Sequence, residues 1–352
     1  QAQQTQTQTQ GQPFNTQVWL SRTLAAILTL GSGNSLGPEG PSVELGAGLS
    51  RLLTPPSNLR ESHHLFLAGT AAGVAAGFNA PITGIFFALE CGNRYLGSTA
   101  YAVNLGAQSD EPRADIASIV LAATGAALIT SLGAGEATLH VQGNSYAMDS
   151  PLFELPVYLG LGLLSGVISV VFQNLRRFFS SLYLPPGPLG GVPPPLRPLL
   201  AGLACGLAAL ALPQTLFNSY ATLDQLLGFQ ATTLPPGLLL ELLTSKLLLS
   251  SFCLASGLVG GIFAPSLFFG ATAGAAYHAL VASLLPLALS DTPAYAAVGA
   301  AATLGAVFRA PLTASMLMFE VTQNHDIVLP VLAAAGLAGL FAEILSNPRK
   351  RW

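Results

Sequence analysis

Long stretches without a charged residue constrain this chain more than any other feature. Ile116–Gly135 contains 20 consecutive uncharged residues, Leu155–Leu175 contains 21 and Pro198–Leu223 contains 26. Leu247–Ser290 extends over 44 residues without Asp, Glu, Lys or Arg. An α-helix needs about 20 apolar residues to cross the hydrocarbon core of a bilayer. We therefore expect the chain to cross a membrane several times.

The composition excludes the main alternatives. Only 8% of the residues are charged and 51% are hydrophobic, whereas a soluble domain carries roughly 25% charged residues. So few charges could not cover a soluble globule of this size, and the high apolar content is not that of a disordered chain. The net charge of -3 argues against nucleic acid as a partner, because binding phosphates requires clustered Lys and Arg.

Shorter apolar segments refine the predicted fold class. Thr292–Phe308 and Ile327–Ala342 are too short to span a bilayer upright. They predict tilted or broken helices, which membranes tolerate where protein or a cavity covers the exposed backbone. We predict an all-α, multi-pass integral membrane protein with about ten or eleven helical segments.

Polar stretches divide the chain. Residues 1–17 are polar and of low complexity, and we expect them to be a disordered tail. The segment Leu184–Pro198 is so rich in proline that it must be a loop. We assign 18–135 to a first half, 136–152 to a connecting loop and 153–352 to a second half.

An internal repeat relates these halves. GPEGPSVELGA at Gly37–Ala47 and GIFAPSLFFGA at Gly261–Ala271 share Gly, Pro-Ser and Gly-Ala at the same offsets. Further along each half, Gly69–Glu90 and Gly299–Glu320 end in FNAPITGIFFALE and FRAPLTASMLMFE. Two matches in the same order and with nearly equal spacing are not expected by chance. Repeated halves are the common plan of transporters, whose site lies where broken helices of both halves meet.

The repeat predicts unequal halves. More than a hundred residues separate Phe153 from Gly261, but only 36 precede Gly37. About three helices therefore have no counterpart at the front of the first half. We interpret the first half as N-terminally incomplete, and the alternative is that the halves are asymmetric.

The GPEGP motif has the chemistry of an anion site. Pro38 suits a first helical turn, and Gly37 and Gly40 allow a ligand to approach the backbone. Amides at a helix N-terminus bind anions. The carboxylate of Glu39 would compete with an external anion for that place, which makes it a candidate gate. The alternative is that Glu39 only complements the helix dipole.

The GGIFAPSL motif supplies the corresponding element of the second half. Gly261 precedes Ile262 and Phe263, and Pro265 is predicted to begin a helix. A glycine surface for helix packing is the alternative interpretation. The repeat favours a cradle of backbone amides.

In this order, GPEGPSVELGAG, FNAPITGIFFALE, GGIFAPSL and FRAPLTASMLMFEVTQN resemble the CLC family of chloride channels and chloride/proton exchangers. The resemblance covers about residues 18–348. It implies two inverted halves, a homodimer in a lipid bilayer, and chloride or a similar small anion as the transported ligand. The serine-bearing selectivity loop of the family has no counterpart in the sequence, so the resemblance does not fix the anion.

The resemblance also implies roles for individual residues. Glu39 matches the family's gating glutamate. The anion-coordinating backbone corresponds to Gly37, Glu39, Gly40, Ile262, Phe263 and Ala264. Cys91 occupies the position at which exchangers carry a proton-relay glutamate. A thiol has a reference pKa near 8.5 and relays protons poorly at neutral pH, so we expect passive or weakly proton-coupled anion transport.

Other functions are less consistent with the sequence. It contains no HExxH, paired CxxC, nucleotide-binding loop or Gly-x-Ser-x-Gly motif, so we expect neither an enzyme nor a bound cofactor or metal. Two alternatives remain beside passive transport: a proton-coupled exchanger, and a truncated, non-conducting membrane subunit.

Overall fold

A computed structural model describes residues 16–53, 59–98, 116–133, 153–228, 234–284 and 289–346. Within these ranges the chain forms thirteen α-helices and no β-strand. The helices are α1 (Thr16–Gly31), α2 (Glu39–Leu53), α3 (Leu59–Phe78), α4 (Pro81–Ser98), α5 (Ile116–Gly133), α6 (Leu155–Leu182), α7 (Arg197–Ala211), α8 (Tyr220–Leu227), α9 (Pro236–Ser256), α10 (Phe263–Leu284), α11 (Thr292–Phe308), α12 (Pro311–Thr322) and α13 (Val328–Ser346). Six segments, containing α5, α6, α7, α9, α10 and α13, are long and apolar enough to cross a bilayer. The predicted all-α, multi-pass membrane fold is thereby confirmed.

The predicted boundaries were close at several helices. The segment predicted at Thr292–Phe308 is helix α11 with the same bounds, and α1 begins at Thr16, inside the last two residues of the predicted polar tail. The segment predicted at Ile327–Ala342 was too short, because α13 continues to Ser346 and reaches a spanning length. The polar stretch from 136 to 152 lies outside the described residues.

The predicted number of helical segments was too low, because runs that looked continuous are divided. The run Pro198–Leu223 is the clearest case. Helix α7 ends at Ala211, a 3₁₀ turn follows at Pro213–Thr215, and α8 begins only at Tyr220. Phe217 and Ser219 have left-handed backbone angles of φ 54° and 60°. Such angles end a helix, and a run without charges gives no sign of them.

The chain forms two compact units. The first contains α1 up to Leu28 together with α2–α5, and the second contains residues 29–38 together with α6–α13. In the first unit α3 packs against α2, α4 and α5. Its core includes Phe66, Ala71, Ala75 and Ile119. Small residues on α3 allow these helices to approach closely, as in other membrane helix bundles.

In the second unit α11 has the central position. Nearly all of its residues are buried, and it packs against α6, α10, α12 and α13. Its sequence, TPAYAAVGAAATLGAVF, consists mostly of alanine and glycine. Because small side chains let neighbouring backbones come close, this helix can be covered on all sides.

The two copies of the sequence repeat have the same backbone conformation. Gly33 and Gly257 are separated by the same offset as Gly37 and Gly261, and both have left-handed angles, with φ 81° and 92°. Asn79 and Arg309, which stand at matching places in FNAP and FRAP, have φ 53° and 55°. Each of these residues follows the end of a helix, α1 and α9 for the glycines and α3 and α11 for the second pair.

The helix contacts of the repeat also correspond. A Cβ added at Gly46 would clash with the carbonyl oxygen of Gly69, and a Cβ added at Gly270 would clash with that of Gly299. Helices α1–α5 thus correspond to α9–α13. Within the described residues, α6, α7 and α8 have no counterpart in the first unit.

Candidate anion site

The two glycine motifs meet through a pair of backbone hydrogen bonds. The amide of Gly37 donates to the carbonyl of Gly261 at 2.9 Å, and the amide of Gly261 donates to the carbonyl of Gly37 at 2.7 Å. Both glycines belong to the second unit. This pair joins distant parts of the chain at the point where the sequence repeats itself.

A helix begins two residues after each of these glycines. Helix α2 begins at Glu39 and helix α10 at Phe263. The first amides of an α-helix have no acceptor within the helix and carry the positive end of its dipole. Each motif therefore ends in backbone groups suited to an anion.

In the second unit, the predicted ligands Ile262, Phe263 and Ala264 lie at the start of α10. This helix begins at Phe263 and not at Pro265, where the sequence pattern predicted its start. The side chain of Phe263 is buried, and its ring packs against that of Phe308 with centroids 4.0 Å apart. Ile262 packs against a core formed by α6, α9 and α10. These contacts hold the first turn of α10 in one position.

In the first unit, Glu39 is the first residue of α2 and is fully buried. A Cβ added at Gly77 on α3 would lie 3.6 Å from Cγ of Glu39. A side chain at position 77 would therefore fill the space next to the glutamate. The predicted ligand Gly40 follows in the same turn and is half-buried.

The loop that leads to GPEGP is held by α9. The hydroxyl of Ser250 donates to the carbonyl of Ser35 at 2.8 Å and lies 3.3 Å from the hydroxyl of Ser35. Both serines are fully buried. Residues 29–38 are consequently tied to the second unit just before the chain enters α2.

A second contact holds the same loop. The amide of Phe217 donates to the carbonyl of Gly33 at 3.4 Å, and Phe217 lies in the segment between α7 and α8 that Lys246 of α9 binds. The Nζ of Lys246 is 2.8 Å from the carbonyl oxygen of Phe217. Helix α9 therefore positions the loop both directly and through this segment.

The predicted proton-relay position, Cys91, lies in α4 of the first unit. Its side chain is buried, with 2% exposed, and its sulfur is not part of a disulfide. The neighbouring Glu90 is half-buried. Within the described residues, no cluster of His, Cys, Asp and Glu has the composition of a metal site.

Sequence reasoning missed Ser250 and Lys246. The serine could not have been found, because serines are common in helices of this kind. The lysine had a signal, since Ser21-Arg22 and Ser245-Lys246 stand at the same offset from each other as the two glycine motifs. Extending the repeat upstream of Gly37 would have identified it.

Comparison with known proteins agrees with this geometry. A profile of the family described as "Voltage gated chloride channel" matches residues 2–343. The chain is 38% identical over 331 residues to chloride channel protein CLC-e of Arabidopsis thaliana, covering 90% of this chain and 45% of that protein. It is 30% identical over 337 residues to the H(+)/Cl(-) exchange transporter ClcA of Salmonella paratyphi B, covering 91% of this chain and 64% of that protein.

A solved structure has a similar fold. The crystal structure of a slow cyanobacterial Cl-/H+ antiporter superimposes with a TM-score of 0.75 at 24% identity, covering 97% of this chain and 76% of that chain. The chain spans less than half the length of CLC-e and about two thirds of that of ClcA.

Proposed function

Because the chain belongs to the voltage-gated chloride channel family, the CLC family, we propose that it transports chloride or a similar small anion across a membrane. The observation that carries this proposal is the reciprocal pairing of Gly37 with Gly261. It joins two segments that each lead into a helix N-terminus. Nothing in such a site makes or breaks covalent bonds, so the proposed role is transport and not catalysis.

We propose that backbone amides coordinate the anion. The ligands are Gly37, Glu39, Gly40, Ile262, Phe263 and Ala264. Amides at helix N-termini supply partial positive charge without a full cation, so they bind an anion and still release it. Release is as important as binding for a transported ion.

Glu39 is proposed as the gate. Its carboxylate, at the first position of α2, is a tethered competitor for the amides that bind the free anion. When charged it occupies their place, and when protonated it leaves. The buried environment of Glu39 and the space that Gly77 leaves beside it support a side chain that can change position.

We propose that anion transport is passive or weakly coupled to protons. Cys91 stands where the family's exchangers have a glutamate, and a buried thiol exchanges protons poorly. A proton-coupled exchanger is the second candidate, and the relative named as an exchange transporter favours it. The third candidate is a truncated, non-conducting membrane subunit. In all three cases we propose that two copies associate in the bilayer.

Reconstitution into vesicles separates these candidates. The chain is placed in liposomes with a chloride gradient and an internal pH reporter, and chloride binding is measured in detergent by calorimetry. Passive transport predicts chloride efflux without uphill proton movement. Proton movement at a fixed ratio to chloride would establish an exchanger. Chloride binding without chloride efflux would indicate a non-conducting subunit. Absence of both binding and efflux would refute the proposal.

A further inference from the structure

Lys246 is a buried cation without a carboxylate beside it. Its side chain is fully buried in α9, and the described part of the chain places no acidic group within ion-pair distance of Nζ. The ammonium instead donates to the carbonyls of Thr215 and Phe217, at 2.9 and 2.8 Å, and to the hydroxyl of Ser219 at 2.7 Å. All three acceptors are neutral. These three acceptors match the three N–H donors of an ammonium, and no carboxylate of the described residues lies beside it.

A buried charge of this kind is unusual, because removing an ion from water is costly unless an opposite charge is near. Holding the segment between α7 and α8 in place would require hydrogen-bond donors but no positive charge. An ammonium buried without a carboxylate beside it is therefore the feature that calls for an explanation.

The repeat shows how the same position is treated in the first unit. The offset that relates Gly37 to Gly261 also relates Arg22 of α1 to Lys246, and Glu44 of α2 to Phe268 of α10. Arg22 forms a two-point ion pair with Glu44, with Nη2–Oε1 at 2.8 Å and Nε–Oε2 at 3.1 Å. In the second unit, Nζ of Lys246 lies 5.6 Å from the centroid of the Phe268 ring.

The two units thus differ in charge at equivalent places. In the first unit a carboxylate neutralises the base, whereas the equivalent position in the second unit carries an aromatic ring. A cation–π contact attracts the ammonium but leaves the net charge in place. The described part of the second unit therefore holds this ammonium without a carboxylate beside it.

This charge lies close to the proposed anion ligands. Ser250, which binds the loop two residues before Gly37, follows Lys246 by four residues, a rise of about 6 Å along α9. Phe268 follows Phe263 by five residues, about 7.5 Å along α10. Leu247 and Ile262 belong to one packed cluster. The ammonium is therefore on the order of 10–12 Å from the start of α10.

We propose that Lys246 determines anion affinity, acting as the fixed positive charge that holds a small monovalent anion at the amides of Ile262–Ala264. The inference rests on the proposed function. Two opposite unit charges about 12 Å apart, at an effective dielectric constant of about 20, attract each other by the equivalent of about a tenfold change in affinity. Lys246 does not contact the anion, so it acts as a positioning charge and not as a ligand.

The test is chloride binding to the detergent-purified chain, measured by calorimetry. Lys246→Gln removes the charge and should weaken binding about tenfold. Lys246→Arg keeps the charge and should bind within about threefold of the unmodified chain. Ser219→Ala removes one hydrogen-bond acceptor of Lys246 and keeps its charge. This variant should therefore bind chloride with unchanged affinity.

A second pair of variants leaves Lys246 in place. Phe268→Glu recreates in the second unit the ion pair that Arg22 and Glu44 form in the first, so it should weaken chloride binding about tenfold relative to Phe268→Gln. The Gln variant is the matched control, because it has nearly the same shape without the charge. This pair decides the question if Lys246→Gln does not give a folded protein.

The chloride affinities of these variants distinguish failure of the inference from failure of the proposed function. Equal affinity of Lys246→Gln and the unmodified chain, or of Phe268→Glu and Phe268→Gln, would refute the inference while leaving the proposed function intact. If Ser219→Ala loses as much chloride affinity as Lys246→Gln, the hydrogen bonds that Lys246 makes to the segment between α7 and α8 determine the affinity and its charge does not. That result would also refute the inference. If the unmodified chain does not bind chloride, the proposed function fails and the inference with it.

Discussion

Because α10 and α11 approach each other closely, we expect one methyl group added between them to lower the free energy of unfolding. A Cβ at Gly270 would lie 2.6 Å from Cα of Ala300 and would overlap the carbonyl oxygen of Gly299. Carbon atoms in contact are about 3.5–4.0 Å apart, so Gly270→Ala must push the helices apart by about 1 Å. The obstacle is backbone, which cannot move aside as a flexible side chain would.

The expected magnitude follows from two opposing effects. Overpacking a tight site costs about 1–3 kcal/mol, and the backbone obstacle places Gly270→Ala at the upper end of that range. Alanine gains up to about 1 kcal/mol over glycine in a helix. The net loss in free energy of unfolding is therefore about 2 kcal/mol. Gly206→Ala in α7, where nothing lies within 4 Å of the added Cβ, should be neutral or stabilising by up to about 1 kcal/mol.

The assay is unfolding in mixed detergent micelles, followed by tryptophan fluorescence and circular dichroism. Gly46→Ala provides an independent repetition, because its Cβ would clash with the carbonyl of Gly69 in the first unit. Both variants should be less stable than Gly206→Ala by roughly 2–3 kcal/mol. Equal stability of Gly270→Ala and Gly206→Ala would refute the close helix packing on which the architecture of the second unit depends.

Three further predictions concern the site. Glu39→Gln keeps the shape of the side chain and removes its charge, so chloride flux into vesicles should lose most of its pH dependence, and an unchanged pH profile would place the gate elsewhere. Cys91→Glu places an acid at the proposed relay position and should introduce proton movement driven by a chloride gradient, with Cys91→Gln as the control that should not. Ser250→Ala deprives the buried carbonyl and hydroxyl of Ser35 of a partner and should destabilise the protein by about 1–3 kcal/mol. Thr244→Ala, which loses only two exposed hydrogen bonds to carbonyls within α9, should change stability by less than about 0.5 kcal/mol.

The fold class could be predicted from the sequence because a membrane protein needs long apolar runs, and few other folds tolerate them. The positions of Glu39 and Phe263 near helix starts could be predicted as well, since glycine and proline mark helix ends wherever they occur. The repeat alone allowed Gly37 and Gly261 to be matched with each other. In the structure the two glycines are hydrogen-bonded to each other.

The features that sequence reasoning missed depend on contacts between distant residues. The break after Ala211 is stabilised by the ammonium of Lys246, which binds the carbonyls of Thr215 and Phe217 from another helix. Local patterns in the run from Pro198 to Leu223 contain no trace of that lysine. The sequence likewise did not show that Arg22 has a carboxylate partner whereas Lys246, among the described residues, has none.

The pairing of Gly37 with Gly261 has a consequence for biosynthesis. A ribosome adds about 5–20 residues per second, so Gly261 is made roughly 10–45 s after Gly37. During that interval the backbone of Gly37 has no partner from the second half. Closing so long a loop costs little more entropy than closing a shorter one, so the delay is set by translation and not by the search. The proposed anion site therefore cannot be complete before Gly261 is made, and a chain released earlier would contain the helix start at Glu39 without the segment that pairs with Gly37.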